Sequence, residues 1–199
     1  MANEFRRNIA FTGGRDMQRQ TTKELLGESF RELAKRKPIN KITIANITDN
    51  CGMTQPTFYN HFRDKYDLMT WLYVSDAKSI MGRIGKDGYQ WRDTLPDAMT
   101  YFAEHKSELL NAFTHTSGRE SFLAYMMRVN TDLLCTEARK KLMTENIPED
   151  ILLMIKIYCY GTVAYVCEWV ADGMPVSPEK AAHAMEKCLP EPLRPYLYP

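Results

Sequence analysis

Apolar residues recur at helical spacing along much of this 199-residue chain, and the polar residues between them mark where helices start and stop. Leu26, Phe30 and Leu33 fall at i, i+4 and i+7, with Thr22 one turn earlier. This stripe predicts a helix from about Asp16 to Lys37, ended by Pro38, because the residue before a proline is pushed out of the helical region. A second, short helix starts at Thr43, whose hydroxyl can cap the first free backbone N–H groups. Ile42 before the cap and Ile47 after it stand where a hydrophobic staple would. Gly52 ends this helix by accepting a left-handed exit. Thr54 caps a third, Pro56 is tolerated in its first turn, and Phe58 and Phe62 lie four apart on one face. Asp64 caps a fourth, with Asp67 three residues on resembling a capping box, and Leu68, Met69, Trp71 and Leu72 carry it to about Met81.

Beyond "GRIGKDG", residues 82–88, three further starts are legible. "SGRE" at 117–120 has the form of a capping box and predicts a helix toward about Met143. "IPED" at 147–150 starts another that ends near "DGMP". "SPEK" at 177–180 places Ser at the cap and Pro at the first position of the last helix. The tail "LPEPLRPYLYP" holds four prolines and cannot continue that helix. Ten Gly and ten Pro are few for a chain of many short strands, so the expected fold class is all-α.

Two short helices joined by a Gly turn form a helix-turn-helix, and the second helix of such a unit enters the DNA major groove with its N-terminal residues. The side chains at that position suit the task. Gln55 can bond adenine bidentately, and Thr57 can bond a base edge or touch a thymine methyl. Tyr59, Asn60 and His61 can reach phosphates, Lys65 adds a positive charge, and Thr43 sits where the second helix would meet the DNA backbone. An ordinary helical pair with a half-buried Tyr59 and a packing His61 has the same spacing, and Gln55 and Thr57 weigh most against that alternative.

Charge changes the picture slightly. Residues 1–70 carry 12 Lys and Arg against 8 Asp and Glu, whereas residues 71–199 carry 14 against 17. A basic front on a mildly acidic body suits a polyanion-binding head. The five cysteines are odd in number and lack CxxC spacing, which argues for reduced thiols in a cytoplasm. Residues 151–171 are apolar, but Lys156 and Glu168 interrupt them, so a helix buried on most sides is expected rather than a membrane span. No Ser/His/Asp, metal or phosphate-loop pattern appears, so neither an enzyme nor a cofactor is expected. A redox sensor using Cys135, Cys159, Cys167 or Cys188 is a weaker class, since thiols in apolar surroundings are usually inert.

The stretch "ITIANITDNCGMTQPTFYNHFRDKYDLMTWLY", residues 42–73, resembles the DNA-binding domain of the TetR/AcrR family of transcriptional regulators. The match rests on Thr-Phe-Tyr-Asn-His-Phe followed by Lys65, and Thr48 departs from the family's more usual Ala. The resemblance implies base contacts from Gln55, Pro56 and Thr57 and phosphate contacts from Thr43, Thr54, Tyr59 and Lys65. "YCYGTVAYVCEWVADGMPVSPEKAA", residues 158–182, resembles the C-terminal domain of a subgroup that includes the activator of dihydroxyacetone kinase operons.

The implied organisation is an arm (1–14, with Arg6 and Arg7), a three-helix DNA-binding domain (15–64), a connecting helix (65–81), a larger helical ligand-binding and dimerisation domain (82–189) and a Pro-rich tail (190–199). The implied function is a homodimeric repressor on a near-palindromic operator of double-stranded DNA. Dimerisation uses the last two helices, with Ala181, Ala182 and Met185 giving the final helix an apolar face. An effector, small molecule or protein, binds the C-terminal domain, with His105, His115, Arg119 and Tyr125 as candidate contacts. The alternative is an activator or adaptor controlled by a protein partner.

Overall fold

The computed structural model describes residues 20–116, 121–143 and 146–198, and every regular element among them is helical. The expected arm and the expected capping box at 117–120, with Arg119, lie outside the described residues. Helix α1 (Thr22–Ala34) opens on Thr21, which accepts the Glu24 amide while the Glu24 carboxylate takes the Thr21 amide. This box starts the helix at Thr22 rather than at Asp16. The helix also ends before Lys37, because the amides of Arg36 and Lys37 both turn back to the Leu33 carbonyl. A 3-10 turn, Ile39–Lys41, follows Pro38.

Helix α2 (Ile44–Asn50) is capped by Thr43, with Ile42 and Ile47 both buried. Gly52 leaves it at φ +70°, a backbone conformation that costs glycine nothing. Helix α3 (Gln55–Tyr59) is capped by Thr54. Helix α4 (Lys65–Met81) is capped by Asp64, which accepts the amides of Tyr66 and Asp67. Asp67 does not close the expected box. Its carboxylate takes the amide of Arg63, one residue before the cap.

Two body helices are absent from the sequence reading: α5 (Trp91–Glu104) and α6 (Lys106–His115). Pro96 sits inside α5 and obscures its pattern. Helix α7 (Phe122–Leu142) is capped by Ser121, which accepts the Ala124 amide. Helix α8 (Glu149–Ala171) and helix α9 (Pro178–Lys187, capped by Ser177) follow as expected. The tail is not a plain extended segment. It forms a 3-10 turn, Glu191–Leu193, and a short helix α10 (Arg194–Leu197), with Leu193 and Leu197 buried. Pro192 and Pro195 occupy first-turn positions, where no N–H is required, so they start these turns rather than forbid them.

Helices α1–α3 form a small head, and α4 runs from it into contact with α5 and α7. In the body α7 packs on α8, and α5 packs on α9. Ala181 and Ala182 are consequently buried, so they belong to the subunit core and not to an outward face. The expectation that α8 is buried on most sides also fails. Its neighbours cover one side, and Leu153, Ile157, Tyr160 and Tyr165 are exposed on the other, Ile157 by 63%. Among the described residues, α8 is the one helix long and apolar enough to cross a membrane by length and composition.

Candidate nucleic-acid interface and effector cavity

The head presents a two-sided third helix. Phe58 and Phe62 are buried, in contact with each other at 5.7 Å between ring centroids, and Phe62 lies 5.7 Å from Trp71 of α4. Burying two phenylalanines anchors so short a helix, which could not persist in water alone. On the opposite edge Thr54, Gln55, Pro56, Tyr59, Asn60 and His61 are exposed, Tyr59 by 58%. The Tyr59 ring keeps one edge-to-face contact with Phe58, at 5.7 Å between centroids, and turns the rest and its hydroxyl to solvent. The hydroxyls of Thr54 and Thr57 lie 2.8 Å apart, so Thr57 shares a bond with the cap rather than presenting a free hydroxyl. Thr43 is exposed and engaged in a reciprocal box with Asn46.

The angle between α1 and α2 is set by polar groups inside the head. The buried Ser29 hydroxyl donates to the Ile47 carbonyl at 2.7 Å, and Asn50 donates to Ser29. Thr48, in place of the usual Ala, is almost fully buried, and its hydroxyl donates back to the carbonyls of Ile44 and Ala45. A buried hydroxyl bonded in this way escapes the cost of an unpaired polar group.

Lys65 is engaged within the head. Its ammonium donates to the carbonyls of Ile39, at 2.7 Å, and Ile42, at 2.8 Å. It thereby ties the 3-10 turn before α2 to the start of α4. Burial lowers its pKa, with Asp64 opposing the shift. The fully extended reach that a phosphate contact needs is therefore partly spent inside the head.

Between α4, α5, α7 and α8 lies the main interior cavity among the described residues, of about 90 Å³, while the open groove along α8 and α9 is larger, about 500 Å³. The cavity wall is mostly apolar, with Trp91, Phe102, Met126 and Val166 among its members. Tyr73 and Asn130 supply polar groups: the Asn130 amide donates to the Tyr73 hydroxyl at 2.5 Å and to the Met126 carbonyl. Burial pushes the Tyr73 phenol well above its ordinary range, so it stays a neutral hydroxyl.

Of the expected effector residues, His105, His115 and Tyr125 do not line this cavity. His105 stacks on Tyr101 at 4.2 Å and lines a smaller cavity beneath α1. His115 closes α6, and Tyr125 lies on α7 under Arg128, 5.7 Å from its ring. Helical spacing cannot show which of several aromatic residues share a void, and this grouping is set by how α5 and α6 pack. Asn130 was the missed signal, a lone amide four residues after Met126 on an otherwise apolar face of α7.

Of the five thiols two are buried, and Cys51 is half-buried. Cys135 and Cys159 are buried, Cys167 is half-buried and Cys188 is exposed. Burial pushes the Cys159 and Cys167 thiols up to about 12, which suppresses the reactive thiolate.

Residues 30–70 match the family model described as bacterial regulatory proteins of the tetR family. The HTH-type dhaKLM operon transcriptional activator DhaS of Lactococcus lactis subsp. lactis (strain IL1403) is 21% identical over 120 residues, which is 60% of this chain. That alignment spans 64% of the relative's length, under two thirds of it. Among solved structures, a dihydroxyacetone kinase operon activator DhaS superposes with a TM-score of 0.59 at 17% identity, covering 88% of this chain and 98% of that one. A TetR transcriptional regulator from Rhodococcus sp. RHA1 gives 0.55 at 16% identity, covering 82% and 91%. Residues 89–190, just over half of the chain, match the model described as a transcriptional regulator C-terminal region. By its head, its body and the arrangement of the two, the chain belongs to the TetR family of bacterial transcriptional regulators.

Proposed function

We propose that this regulator acts as a homodimer on a near-palindromic operator and represses transcription until an effector occupies its body. The observation that carries the proposal is the two-sided α3, with Gln55, Pro56 and Tyr59 exposed over buried Phe58 and Phe62. Gln55, Pro56 and Thr57 read bases, Thr57 through its methyl or by turning its hydroxyl away from Thr54. Thr43, Thr54, Tyr59, Asn60 and His61 lie along the phosphate path, which Lys65 joins by giving up its bonds to the Ile39 and Ile42 carbonyls. Residues 15–64 form the DNA-binding unit, 65–81 the connector, and 82–189 the regulatory unit, to which the tail adds its buried leucines. The exposed stripe on α8 and the apolar groove it forms with α9, lined by Ile157, Gly161, Tyr165, Ala184 and Cys188, support the dimer. Two heads are needed because one good bidentate base contact discriminates by only about 1–3 kcal/mol.

The main cavity suits a small, neutral, largely apolar effector that bonds to Tyr73 and Asn130. Occupancy changes the spacing of the two heads, and a ligand shifts that equilibrium only by its difference in affinity for the two shapes. A second reading, an activator or adaptor controlled by a protein partner, is favoured by the relative's being named a transcriptional activator. Footprinting on the DNA upstream of its own gene, with transcription read from the same template, tests both. Repression gives protection and less transcript, and activation gives protection and more. Gln55→Ala is expected to lose about 1–3 kcal/mol of discrimination between operator and scrambled DNA. Unchanged discrimination removes Gln55 from base readout.

A further inference from the structure

A polar cluster joins the wall of the main cavity to the DNA-binding head. Tyr101 of α5 lines the main cavity and the smaller one beneath α1. Its hydroxyl donates to Asp76 Oδ2 of α4 at 2.7 Å. Arg31 of α1 pairs with that same oxygen through Nη2. Asp76 is followed directly by Ala77, itself part of the cavity wall. One carboxylate oxygen therefore receives a donor from the cavity side and a donor from the head.

A second carboxylate stands ready for the same guanidinium. Glu108 of α6 places Oε2 3.9 Å from Arg31 Nε, too far for a hydrogen bond. Its Oε1 is buried without a hydrogen-bond partner, and the nearest cation, Lys35 Nζ, is 3.5 Å away. A buried carboxylate oxygen lacking a donor is costly, so a closer approach by Arg31 would be favourable. The structure holds Arg31 on Asp76, and Arg31 on Glu108 is a second arrangement within reach of the same guanidinium. The first ties the head to α4, the second to α6.

We propose that Tyr101 is a positioning residue for the DNA-binding head, which holds Asp76 against Arg31 while the cavity is unfilled and lets Arg31 pass to Glu108 when the cavity side displaces it. The proposal rests on the reading of the main cavity as the effector site. It supplies what coupling between separated sites requires, an element with two discrete states that both sites bias.

Cavity filling from within replaces an unidentified effector in the test. Ala98 lies on α5 in the cavity wall, and A98L adds volume there. Y101F keeps the ring and deletes only the hydroxyl. Binding of the full-length protein to its own upstream DNA is measured by fluorescence anisotropy for wild type, A98L, Y101F and the double variant, with melting temperature recorded for each. In the wild-type background A98L is expected to change Kd at least about fivefold, the lower end of typical couplings. Y101F alone shifts Kd in the same direction, and adding A98L to Y101F changes it by less than about twofold.

An equal A98L effect in both backgrounds overturns the role of Tyr101 while leaving the cavity reading intact. No effect of A98L on Kd in the wild-type background removes the cavity reading and this inference with it. A purely structural Tyr101 lowers the melting temperature of both variants that carry Y101F and leaves the A98L ratio unchanged. Should A98L not fold, A77L fills the same cavity from the α4 wall.

Discussion

Lys65 shows how one side chain changes meaning between chain and fold. As a cation just after a recognition helix it reads as a phosphate contact. In the fold its ammonium holds the carbonyls of Ile39 and Ile42. Lys65→Met is therefore expected to destabilise the head, by roughly the 1.5–3 kcal/mol of a charge-assisted bond before solvent exposure reduces it. Thermal melting and the salt dependence of DNA binding separate the two roles. A pure phosphate contact leaves the melting temperature unchanged and lowers the salt slope by about 1. Thr48 is a second case. Its identity departs from the family pattern, yet its hydroxyl is absorbed by the carbonyls of its own helix. The sequence case for base contact rests on Gln55 and Thr57, and the fold leaves Gln55 exposed while Thr57 is half-buried, its hydroxyl against that of Thr54.

At the scale of elements, the head is held by α6 as well as by the chain through α4. Asn111 of α6 accepts the Ile39 amide at 2.7 Å and donates to the carbonyls of Ala34 and Lys37, at 2.8 and 2.6 Å. One amide side chain thus caps the end of α1 and fixes the turn that leads to α2. Asn111→Ala deletes three hydrogen bonds and leaves backbone groups to find water, at roughly 1 kcal/mol each. Urea denaturation is expected to show a loss of about 2–4 kcal/mol. A loss under 1 kcal/mol would mean that water replaces the clamp without cost. None of this was legible in the sequence, because Pro96 breaks the pattern of α5, α6 opens without a side-chain cap, and Asn111 lies 72 residues from the amide it accepts. The short helices α2 and α3 were legible, because caps and staples act within a few residues.

For the whole molecule, the open face of α8 carries the largest consequence. Leu153 and Ile157 are exposed by 57% and 63%, in line with Tyr160, and Tyr165 is exposed further round the helix. Gly161, on the same face, has nothing within 4 Å of where a Cβ would stand. Contiguous exposed apolar residues of this kind mark association surfaces. On the proposed dimer, Ile157→Lys is expected to yield a folded monomer in sedimentation velocity at concentrations where the unsubstituted chain sediments as two subunits. In an isolated subunit the same exposed substitution stays within about 0.5 kcal/mol of neutral. A variant that remains dimeric would move the interface off this face.

Local chemistry determined the head. Capping threonines, a glycine exit and two phenylalanines four residues apart act over one or two turns, so the order of residues alone specifies three short helices and the polar edge of the third. Tertiary structure alone decided the rest. Burial of Ala181 and Ala182, exposure of Ile157, the company that Tyr73 and Asn130 keep, and the placing of Arg31 on Asp76 with Glu108 3.9 Å away all depend on helices distant in sequence. Helical periodicity shows that a face is apolar. Which of its residues meets a neighbour, a void or solvent is set by how the helices pack against one another.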